Sequence, residues 1–474
     1  MWMRRKFSSI MPQHLQNLVD RRLLWAKQNP TLCIFPYVTL DTRYSEFQPD
    51  TVYKTCCCNL DARIFVPSPG PDPFAEIKQQ QNQGEWPDAC FRCRAEEEHG
   101  GNSERIVGFI SYIEDRLENF VRDRSLVEYE LRVKFSNFCN LACRSCSATE
   151  SSTYAKITNS DVNTAYEVDI SESPEHWELI TTTILEKLSA VEHFYVHFIG
   201  GESLVQPGMR KLMDWMFDQG IANRINVRVT TALTVRPSDD FLNRLSQFKT
   251  VDINLSIDSV GENYRYMRWP ARFEKIESNL DTLIRYRMKF INKTMVPAWK
   301  CLLTPVFSLN NIFYIEDWLN YWHTWFNQRG FAFKIQPINL TEHTWHLDVE
   351  ALPKKYRAPL IALLTQCRQH EIFRTHPDHT RVMFNFLAST IDELKNMPED
   401  HNDWNKFLAH TAYFDKKTQQ SFAILNDRLY NILDDTDKTL YQEIHDRTDT
   451  EQSFQREVLK TVSFYRTLNV QPQI

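Results

Sequence analysis

The 474-residue sequence contains no apolar run that approaches the roughly 18 residues of a membrane span. The basic start, Met1–Lys6, is not followed by the apolar core of a secretory signal. Lys and Arg number 55 against 61 Asp and Glu, so the net charge of −6 gives no overall positive field for nucleic acid. No internal repeat, P-loop, dinucleotide-binding fingerprint or hydrolase elbow is found. These absences predict a cytoplasmic protein without a membrane or nucleic-acid partner.

Cysteine, in contrast, is plentiful. The chain has 11 cysteines, while its hydrophobic content of 42% and charged content of 24% are those of a globular protein. Because no secretory signal is present, the cysteines predict metal binding rather than disulfides. The length allows a large barrel with one or two smaller modules.

Three cysteines lie in the segment Lys134–Ser147 at C-x3-C-x2-C spacing. An alternating apolar run predicts a strand that ends at this loop: Val127, Tyr129, Leu131, Val133 and Phe135. The thiols of Cys139, Cys143 and Cys146 can hold a [4Fe–4S] cluster and leave its fourth iron without a protein ligand. The alternative is a zinc knuckle or a chance group of core cysteines, although zinc sites favour paired C-x2-C units and four ligands.

A second cysteine-rich block runs from Cys33 to Cys93, and Cys90 forms a C-x2-C pair with Cys93. The block also holds three adjacent cysteines: Cys56, Cys57 and Cys58. Cys33, the pair and one cysteine of the triplet would complete four ligands in a closed site. Composition alone leaves zinc and [4Fe–4S] both open here.

From residue 126 onward, predicted strands and helices alternate, which favours a parallel sheet with crossover helices. The strands are expected near 127–135, 193–199, 225–231, 250–257, 296–304 and 331–337. The helices between them are expected near 175–190, 208–218, 238–246, 271–289 and 311–327. Elsewhere we expect helices at 9–28, 101–125 and 354–435 and a hairpin around Cys33 and Val52–Tyr53. The acidic segment 434–452 is assigned no function.

Polar residues follow the second and third of these strands, where loops converge in barrels of this kind. Gly200 and Gly201 allow the backbone to approach a ligand closely, and Glu202 supplies a carboxylate. Thr230 and Thr231 end the third strand, where either a ligand or ordinary strand packing explains them.

The later strands carry further candidates. Ser256, Asp258 and Arg268 follow the fourth strand; an arginine suits a ligand carboxylate, whereas Asp258 is alternatively a helix cap. After the fifth strand, one asparagine is expected to cap a helix rather than bind a nucleoside: Asn310 or Asn311. Two isolated cysteines are expected to be inert core residues: Cys301 and Cys367.

The cysteine loop, followed by the segments HFIGGESL and INLSIDSVGENYRYMRWP, resembles the signature of the radical S-adenosylmethionine (SAM) superfamily. Ser145 and Ser203 stand where that family usually has an aromatic residue and a proline. The resemblance implies a partial (β/α)6 barrel in which SAM chelates the open iron of the [4Fe–4S] cluster. Together with the strand-end threonine, the expected SAM-binding residues are Gly200, Gly201, Glu202, Thr230, Ser256, Asp258 and Arg268.

The second block resembles the auxiliary-cluster module, called twitch and similar to a shortened SPASM module, of phage and bacterial radical SAM proteins. Cys33, Cys90 and Cys93 carry over as ligands, and Cys56 or Cys57 is favoured for the remaining position. The resemblance implies a second [4Fe–4S] cluster that carries electrons or anchors the fold.

As a whole, the resemblance predicts an α/β enzyme with a cysteine-rich module at 1–100, a bridging helix at 101–125, a barrel at 126–340 and a helical extension at 341–474. The enzyme would cleave SAM reductively to a 5′-deoxyadenosyl radical that abstracts hydrogen from a substrate. It would need a one-electron reductant of the flavodoxin or ferredoxin type, and a peptide or protein is favoured as substrate over a small molecule or nucleotide. No catalytic residue is assigned. The competing hypotheses are a non-enzymatic zinc protein that binds a macromolecule and an iron–sulfur electron carrier that does not bind SAM.

Overall fold

The computed structural model describes residues 24, 26–27, 31–33, 39–45, 48–54, 74–87, 90–98, 103, 105–106, 128–158, 169–294, 299–338, 340, 342–397 and 401–447. The chain divides into two compact units that alternate along the sequence. Unit 1 comprises Met1–Asn137, Thr164–Thr230 and Asp239–Asp252, and unit 2 comprises Phe138–Asn163, Thr231–Ser238 and Ile253–Ile474. Among the described residues, no helix combines the length and the apolar character that crossing a membrane requires.

The strands are β1 (Thr39–Ser45), β2 (Gln48–Lys54), β3 (Glu128–Val133), β4 (Ala142–Cys143), β5 (His193–Phe198), β6 (Asn226–Thr231), β7 (Thr250–Leu255), β8 (Arg268–Trp269), β9 (Trp299–Leu303) and β10 (Lys334–Ile335). Eight of them follow one another in the order β2-β1-β3-β5-β6-β7-β9-β10, and β4 pairs with β8 in a separate two-stranded sheet. The fold is therefore mixed α/β with a parallel sheet of six strands, β3, β5, β6, β7, β9 and β10, as the alternation of predicted elements indicated.

The α-helices of the described residues are α1 (Ala75–Asn82), α2 (Phe91–Glu98), α3 (Ser152–Ile157), α4 (Pro174–Ala190), α5 (Pro207–Asp218), α6 (Asp239–Leu245), α7 (Gly261–Met267), α8 (Phe273–Thr294), α9 (Ile315–Arg329), α10 (Lys354–Cys367), α11 (Ile372–Thr375), α12 (Pro377–Asn396), α13 (His401–Thr418), α14 (Phe422–Leu425), α15 (Asp427–Ile432) and α16 (Asp435–Asp446). Local sequence sets several ends. Ser173 caps α4 by accepting from the backbone N–H of His176, with Pro174 in the first turn. Gly330 ends α9 at a φ of 68°, a left-handed conformation that glycine adopts without strain.

β3 and β5 each have one apolar face and one polar face. Their buried residues alternate along β3 and β5 and are Tyr129, Leu131, Val133, Phe194, Val196 and Phe198. The residues between them are half-buried, and the parallel register places Glu130 opposite Tyr195 and Arg132 opposite His197. This period of two is what a strand requires when only one of its faces packs in an apolar core.

A hairpin is present as β1 and β2, which pair antiparallel across a two-residue connection; β2 contains Val52–Tyr53 as expected, but Cys33 lies in neither strand. β1 also pairs in parallel with β3, from Thr39 opposite Glu130 to Thr42 opposite Val133. The hairpin thus forms the edge of the sheet in unit 1 and is not a separate small sheet.

Unit 2 has an aromatic core around α9. Its fully buried side chains include Trp318, Trp322 and Phe326. Trp318 donates its indole N–H to the carbonyl of Ile257 at 2.9 Å, so that this large ring is buried with its polar atom bonded. The chain after the sheet, α10–α16, is helical.

The six predicted strands and the five helices between them all appear within a few residues of their expected places, although β10 is only Lys334–Ile335 and α8 runs on to Thr294. Apart from Leu24, Ala26 and Lys27, the helix expected at 9–28 lies outside the described residues. The same holds for the bridging helix at 101–125, apart from three residues: Ser103, Arg105 and Ile106.

Candidate functional site

The three-cysteine loop lies in unit 2 and is fixed by a short backbone ladder. β4 pairs with β8, which places Cys143 opposite Arg268, and the N–H of Arg144 donates to the carbonyl of Met267 at 2.9 Å. The N–H of Cys146 returns to the carbonyl of Cys143 at 3.0 Å and closes a tight turn. Cys139, Cys143 and Cys146 all pack on one small apolar group that includes Leu141 and Ala232. The sequence spacing therefore does bring the three thiols to one place.

Hydroxyl groups at the start of α3 hold the first half of the loop. Ser151 donates to the carbonyl of Leu141 at 2.5 Å and caps α3 by accepting from the N–H of Tyr154. Thr153 donates to the carbonyl of Cys139 at 2.6 Å, and Ser152 accepts from the N–H of Cys139 at 3.2 Å. Loop carbonyls that regular structure would leave unpaired are thus satisfied by side chains.

The electrostatics of the loop suit a cationic cluster. Burial raises the pKa of the Cys146 thiol well above its usual value, and the neighbouring Cys143 and Cys139 raise it further. Of the three, Cys143 is buried and Cys139 and Cys146 are half-buried, so their thiolates would need nearby positive charge, which cluster iron could supply. Within the described ranges, no three or more His, Cys, Asp or Glu side chains converge on a position for one metal ion. A [4Fe–4S] cluster does not need such convergence, because its irons occupy separate corners.

Asp258 and Arg268 form a buried ion pair beside the loop. The Arg268 Nε donates to the Asp258 carboxylate at 2.7 Å, and its Nη1 donates to the Cys143 sulfur at 3.5 Å. Burial by itself would lower the pKa of Arg268, but Asp258 and Cys143 raise it well above its usual value. The other carboxylate oxygen of Asp258 accepts from the N–H of Val306 at 2.9 Å. Asp258 therefore orients Arg268, and Arg268 contacts Cys143 of the three-cysteine loop.

The neighbouring asparagines have different environments. Asn311 donates to the carbonyl of Asp258 at 2.8 Å and accepts from the N–H of Ser308 at 2.7 Å, so it braces the loop and makes no side-chain cap on the helical turn that follows it. The expected capping bond is thus absent. Asn310 is fully buried, and its side-chain amide has no hydrogen-bond partner among the described residues. Ser256 donates its backbone N–H to the carbonyl of Thr231 at 2.9 Å.

The glycine pair lies in unit 1 and forms a rigid turn. Gly200 and Gly201 have φ angles of 79° and 52°, and a Cβ on Gly200 would collide with the aliphatic stem of Lys134. Gln206 donates to the carbonyl of Gly200. Glu202 is buried and accepts from the N–H of Leu204 at 3.2 Å. The close approach that requires glycine at Gly200 is therefore to Lys134.

Thr230 belongs to a polar network on the half-buried face of β3, β5 and β6 that sequence reasoning missed. Its hydroxyl bonds the Nε2 of His197 at 2.9 Å, and the Nδ1 of His197 bonds Glu130 at 2.7 Å. Arg228 donates to Glu130 at 3.1 Å and to Asp252 at 3.3 Å. Burial works to raise the pKa of Glu130, but His197, Arg132 and Arg228 lower it far below its usual value. The signal that would have revealed the network is the recurrence of polar residues at alternate strand positions.

The cysteines of the second block lie in unit 1. Cys33 and Cys93 are buried and Cys90 is half-buried. The buried Arg105 links their two segments: it donates to the carbonyl of Leu32 at 3.0 Å and pairs with Glu97, on the helix of Cys93, at 2.6 Å. The three adjacent cysteines lie outside the described residues: Cys56, Cys57 and Cys58.

Residues 133–298 match the family model described as the radical SAM superfamily. The matched region contains the cysteine loop, the glycine pair with Glu202, and the Asp258–Arg268 pair. This part of the chain therefore resembles a radical SAM domain, and the match supports the expectation that the protein is an enzyme. The six-stranded parallel sheet is consistent with the partial barrel of that family, which implies a [4Fe–4S] cluster, SAM and an external reductant. No curated protein matches the chain.

The solved structures that resemble the chain include several of anSMEcpe, a radical SAM anaerobic sulfatase maturase. Native anSMEcpe with bound AdoMet is 18% identical with a TM-score of 0.37 over 52% of this chain and 62% of that one. The complex with AdoMet and Cp18Cys peptide is 19% identical, with a TM-score of 0.35 over 52% and 60% of the two chains. Histidine-tagged anSMEcpe with bound AdoMet is 16% identical, with a TM-score of 0.37 over 67% and 98%.

Proposed function

We propose that this protein is a radical SAM enzyme whose Cys139, Cys143 and Cys146 hold a [4Fe–4S] cluster with SAM at the fourth iron. The residues would hold the cluster so that, once reduced, it could supply the one electron needed to cleave SAM to methionine and a hydrogen-abstracting 5′-deoxyadenosyl radical. The observation that carries the proposal is the packing of all three thiols around Leu141 and Ala232, inside the region that matches the family.

The residues around this cluster have separate roles in the proposal. Arg268 lies beside Cys143, so a group bound at the open iron would be its neighbour, and its guanidinium suits the SAM carboxylate. Asp258 holds Arg268 in that place. The remaining candidates for SAM binding are Gly200, Gly201, Glu202, Thr230 and Ser256.

We also propose that the second block is a twitch-type module with its own [4Fe–4S] cluster. Its ligands would be Cys33, Cys90, Cys93 and either Cys56 or Cys57. The support is the link that Arg105 makes between the segment of Cys33 and the helix of Cys93. Because no iron of this cluster would be open, it would carry electrons or anchor the fold.

The substrate proposed is a peptide or protein, and the electron donor a cytoplasmic flavodoxin or ferredoxin. Both proposals rest on the resemblance to auxiliary-cluster enzymes and do not depend on which cysteines hold the SAM-binding cluster. The protein's own part is to place the substrate and exclude water from the reacting radical.

The test begins with iron, sulfide and zinc per chain in protein purified without oxygen. About eight irons support two clusters and about four support the SAM-binding cluster alone. The protein is then reduced with dithionite in the presence of SAM, and 5′-deoxyadenosine is measured. Replacement of Cys139, Cys143 and Cys146 by Ala should abolish this product, while the control Cys367→Ala, in a buried helix position of α10, should not. Zinc without iron, or SAM cleavage that survives the triple replacement, would refute the assignment.

A further inference from the structure

The helices at the C-terminal end of the chain reach into the cysteine loop through one residue, Arg144. Arg144 stands between Cys143 and Cys146, and its side chain has a relative exposure of 0%. Its Nη2 pairs with the carboxylate of Asp415 on α13, 271 positions further along the chain. The same nitrogen donates to the side-chain carbonyl of Gln420 at 3.2 Å.

Asp415 is equally buried and joins three helices. Besides Arg144, its carboxylate accepts from the N–H of Phe422 at the start of α14, at 2.6 Å, and from the hydroxyl of Tyr441 on α16, at 2.7 Å. The charge of Asp415 is thus shared among Arg144 and two neutral donors. α13, α14 and α16 meet at the group that neutralises Arg144.

The guanidinium of Arg144 also makes two contacts with Tyr266, while its Nη1 has no hydrogen-bond partner among the described residues. Its Nε donates to the carbonyl of Tyr266 at 2.8 Å, and its carbon lies 3.6 Å from the centre of the Tyr266 ring. Gln420, which accepts from Arg144, donates in turn to the carbonyl of Arg265 at 2.9 Å. The cysteine loop, α7 and the C-terminal helices therefore share one buried polar network.

Apolar packing follows the same route. Tyr413 and Phe414 of α13 pack with Ala142 and Tyr154, and Cys146 lies against this group. The hydroxyl of Tyr413 donates to the carbonyl of Ile157 at the end of α3 at 2.7 Å. α13 thus touches both the loop that carries the cysteines and the helix that holds the loop's first half.

A buried charge that loses its partner is strongly destabilising, because the remaining charge stays out of water. Relief would come from moving Arg144 toward solvent, and Arg144 cannot move without its chain neighbours, one of which is Cys143. We propose that Asp415, supported by α13–α16, is a positioning residue that holds Arg144 and thereby keeps Cys143 and Cys146 in the geometry that retains the cluster. This inference rests on the proposed function, and it makes helices outside the family match part of the cluster site.

The test compares Asp415→Asn with a matched control, Asp437→Asn. Asp437 is also a buried carboxylate of the C-terminal helices, and it accepts from Tyr356 at 2.5 Å and from Trp404 at 3.1 Å. None of its hydrogen bonds among the described residues goes to the cysteine loop. Both variants lose one buried negative charge, so both should lose thermal stability.

The rate of cluster release to an iron chelator is measured from the loss of visible absorbance. The measurement is made at a temperature where circular dichroism shows that every variant is folded. Asp415→Asn should release its SAM-binding cluster about 10-fold faster or more, the usual loss when support of a metal ligand is removed. Asp437→Asn should release it at the wild-type rate. Should Asp415→Asn fail to fold, Tyr441→Phe, which removes one bond to Asp415, should show a smaller increase of the same sign.

A second readout separates this inference from the proposed function. In iron-free protein, alkylation of Cys146 by iodoacetamide is measured by peptide mass. Faster alkylation in Asp415→Asn than in wild type and Asp437→Asn supports the positioning role even for a protein that binds no cluster. Equal rates of cluster release or of alkylation in Asp415→Asn and Asp437→Asn would overturn it.

Discussion

Each unit of this protein carries a group of cysteines, and the two groups are held in different ways. In unit 2, Cys139, Cys143 and Cys146 lie within one loop, whose backbone pairs with β8 and whose carbonyls bond hydroxyls of α3. In unit 1, Cys33 is far in sequence from Cys90 and Cys93, and the described residues include a long-range link between their segments, the side chain of Arg105.

From this difference we expect a site whose cysteines lie within one loop to tolerate the loss of one stabilising contact better than a site whose cysteines come from distant segments. The loop of unit 2 keeps its thiols together by chain connectivity, and its buried contacts refine their positions. The group in unit 1 has no such connectivity, so its geometry depends on each long-range contact. Loss of a support should therefore reduce cluster retention gradually in unit 2 and disrupt the site completely in unit 1.

The largest expected effect comes from removing each set of thiols in turn. Ala at Cys139, Cys143 and Cys146 should abolish SAM cleavage by dithionite-reduced protein. Replacement of Cys33, Cys90 and Cys93 by Ala should remove about half of the iron, because one of two four-iron clusters would be lost. SAM cleavage driven by dithionite should remain measurable. Iron content and 5′-deoxyadenosine yield check both. If the second set of replacements also abolished cleavage with the remaining iron intact, the two groups would not be independent.

The next effect concerns Arg105. Arg105→Met removes the cationic partner of Glu97, which keeps its bond from the Ser103 hydroxyl, and removes the Arg105 donors from the carbonyls of Ala26 and Leu32. The free energy of unfolding should fall by about 3–5 kcal/mol, as for other broken buried pairs. Iron at the second block should be lost first as urea is raised.

The control for this change is Arg94→Met. Arg94 and Glu98 both lie on α2, which also carries Glu97, and they form an ion pair. Their side chains, however, are 55% and 58% exposed. An exposed pair of this kind contributes about 0–1 kcal/mol. Equal losses of stability in the two variants would mean that Arg105 does not act through its buried contacts.

Much of this arrangement could be predicted from sequence, because it depends on local patterns. Alternation along β3 marked the strand that leads into the cysteine loop, and the C-x3-C-x2-C spacing placed three thiols together. The approach of Gly200 to a ligand stays a prediction, whereas its close contact with the stem of Lys134 was not predicted.

The long-range pairings could not be predicted. Arg144 and Asp415 are far apart in sequence, and each, taken alone, looks like an ordinary surface charge. His197 and Glu130 stand on alternate strand positions that read equally well as a solvated face. Only the fold decides that these charges face one another, because burial and partner are properties of the assembled sheet and helices.

A third prediction tests the arginine beside Cys143. Arg268→Lys keeps the charge but shortens the group and removes the Nε donor, so the side chain cannot bond both Asp258 and Cys143. SAM cleavage should fall about 10- to 100-fold while iron per chain stays near the wild-type value. Arg272→Lys, at an exposed position nearby in sequence, is the control and should leave cleavage unchanged. Wild-type cleavage in Arg268→Lys would show that the fork of Arg268 is not needed.

The smallest expected effect is a pH dependence of stability in unit 1. Burial lowers the pKa of His197 despite its bond to Glu130, so below pH 6.5 the unfolded chain takes up a proton that the folded protein resists. Glu130 acts in the same direction at lower pH: its folded pKa is depressed, so its contribution is present above about pH 4.5 and is lost below it. Stability should therefore decrease as the pH falls from 7.5 to 5.5, through His197 in this window.

His197→Gln should reduce that decrease by no more than about 1.4 kcal/mol per pH unit, the slope of one proton. Urea unfolding of both proteins at the two pH values measures it. His346 and His410, whose pKa values are also lowered by burial, lie in unit 2 and are present in both proteins, so the difference isolates His197. An unchanged pH dependence in His197→Gln would show that the polar network around Thr230 does not hold His197 neutral. His197 would then be protonated in the folded protein.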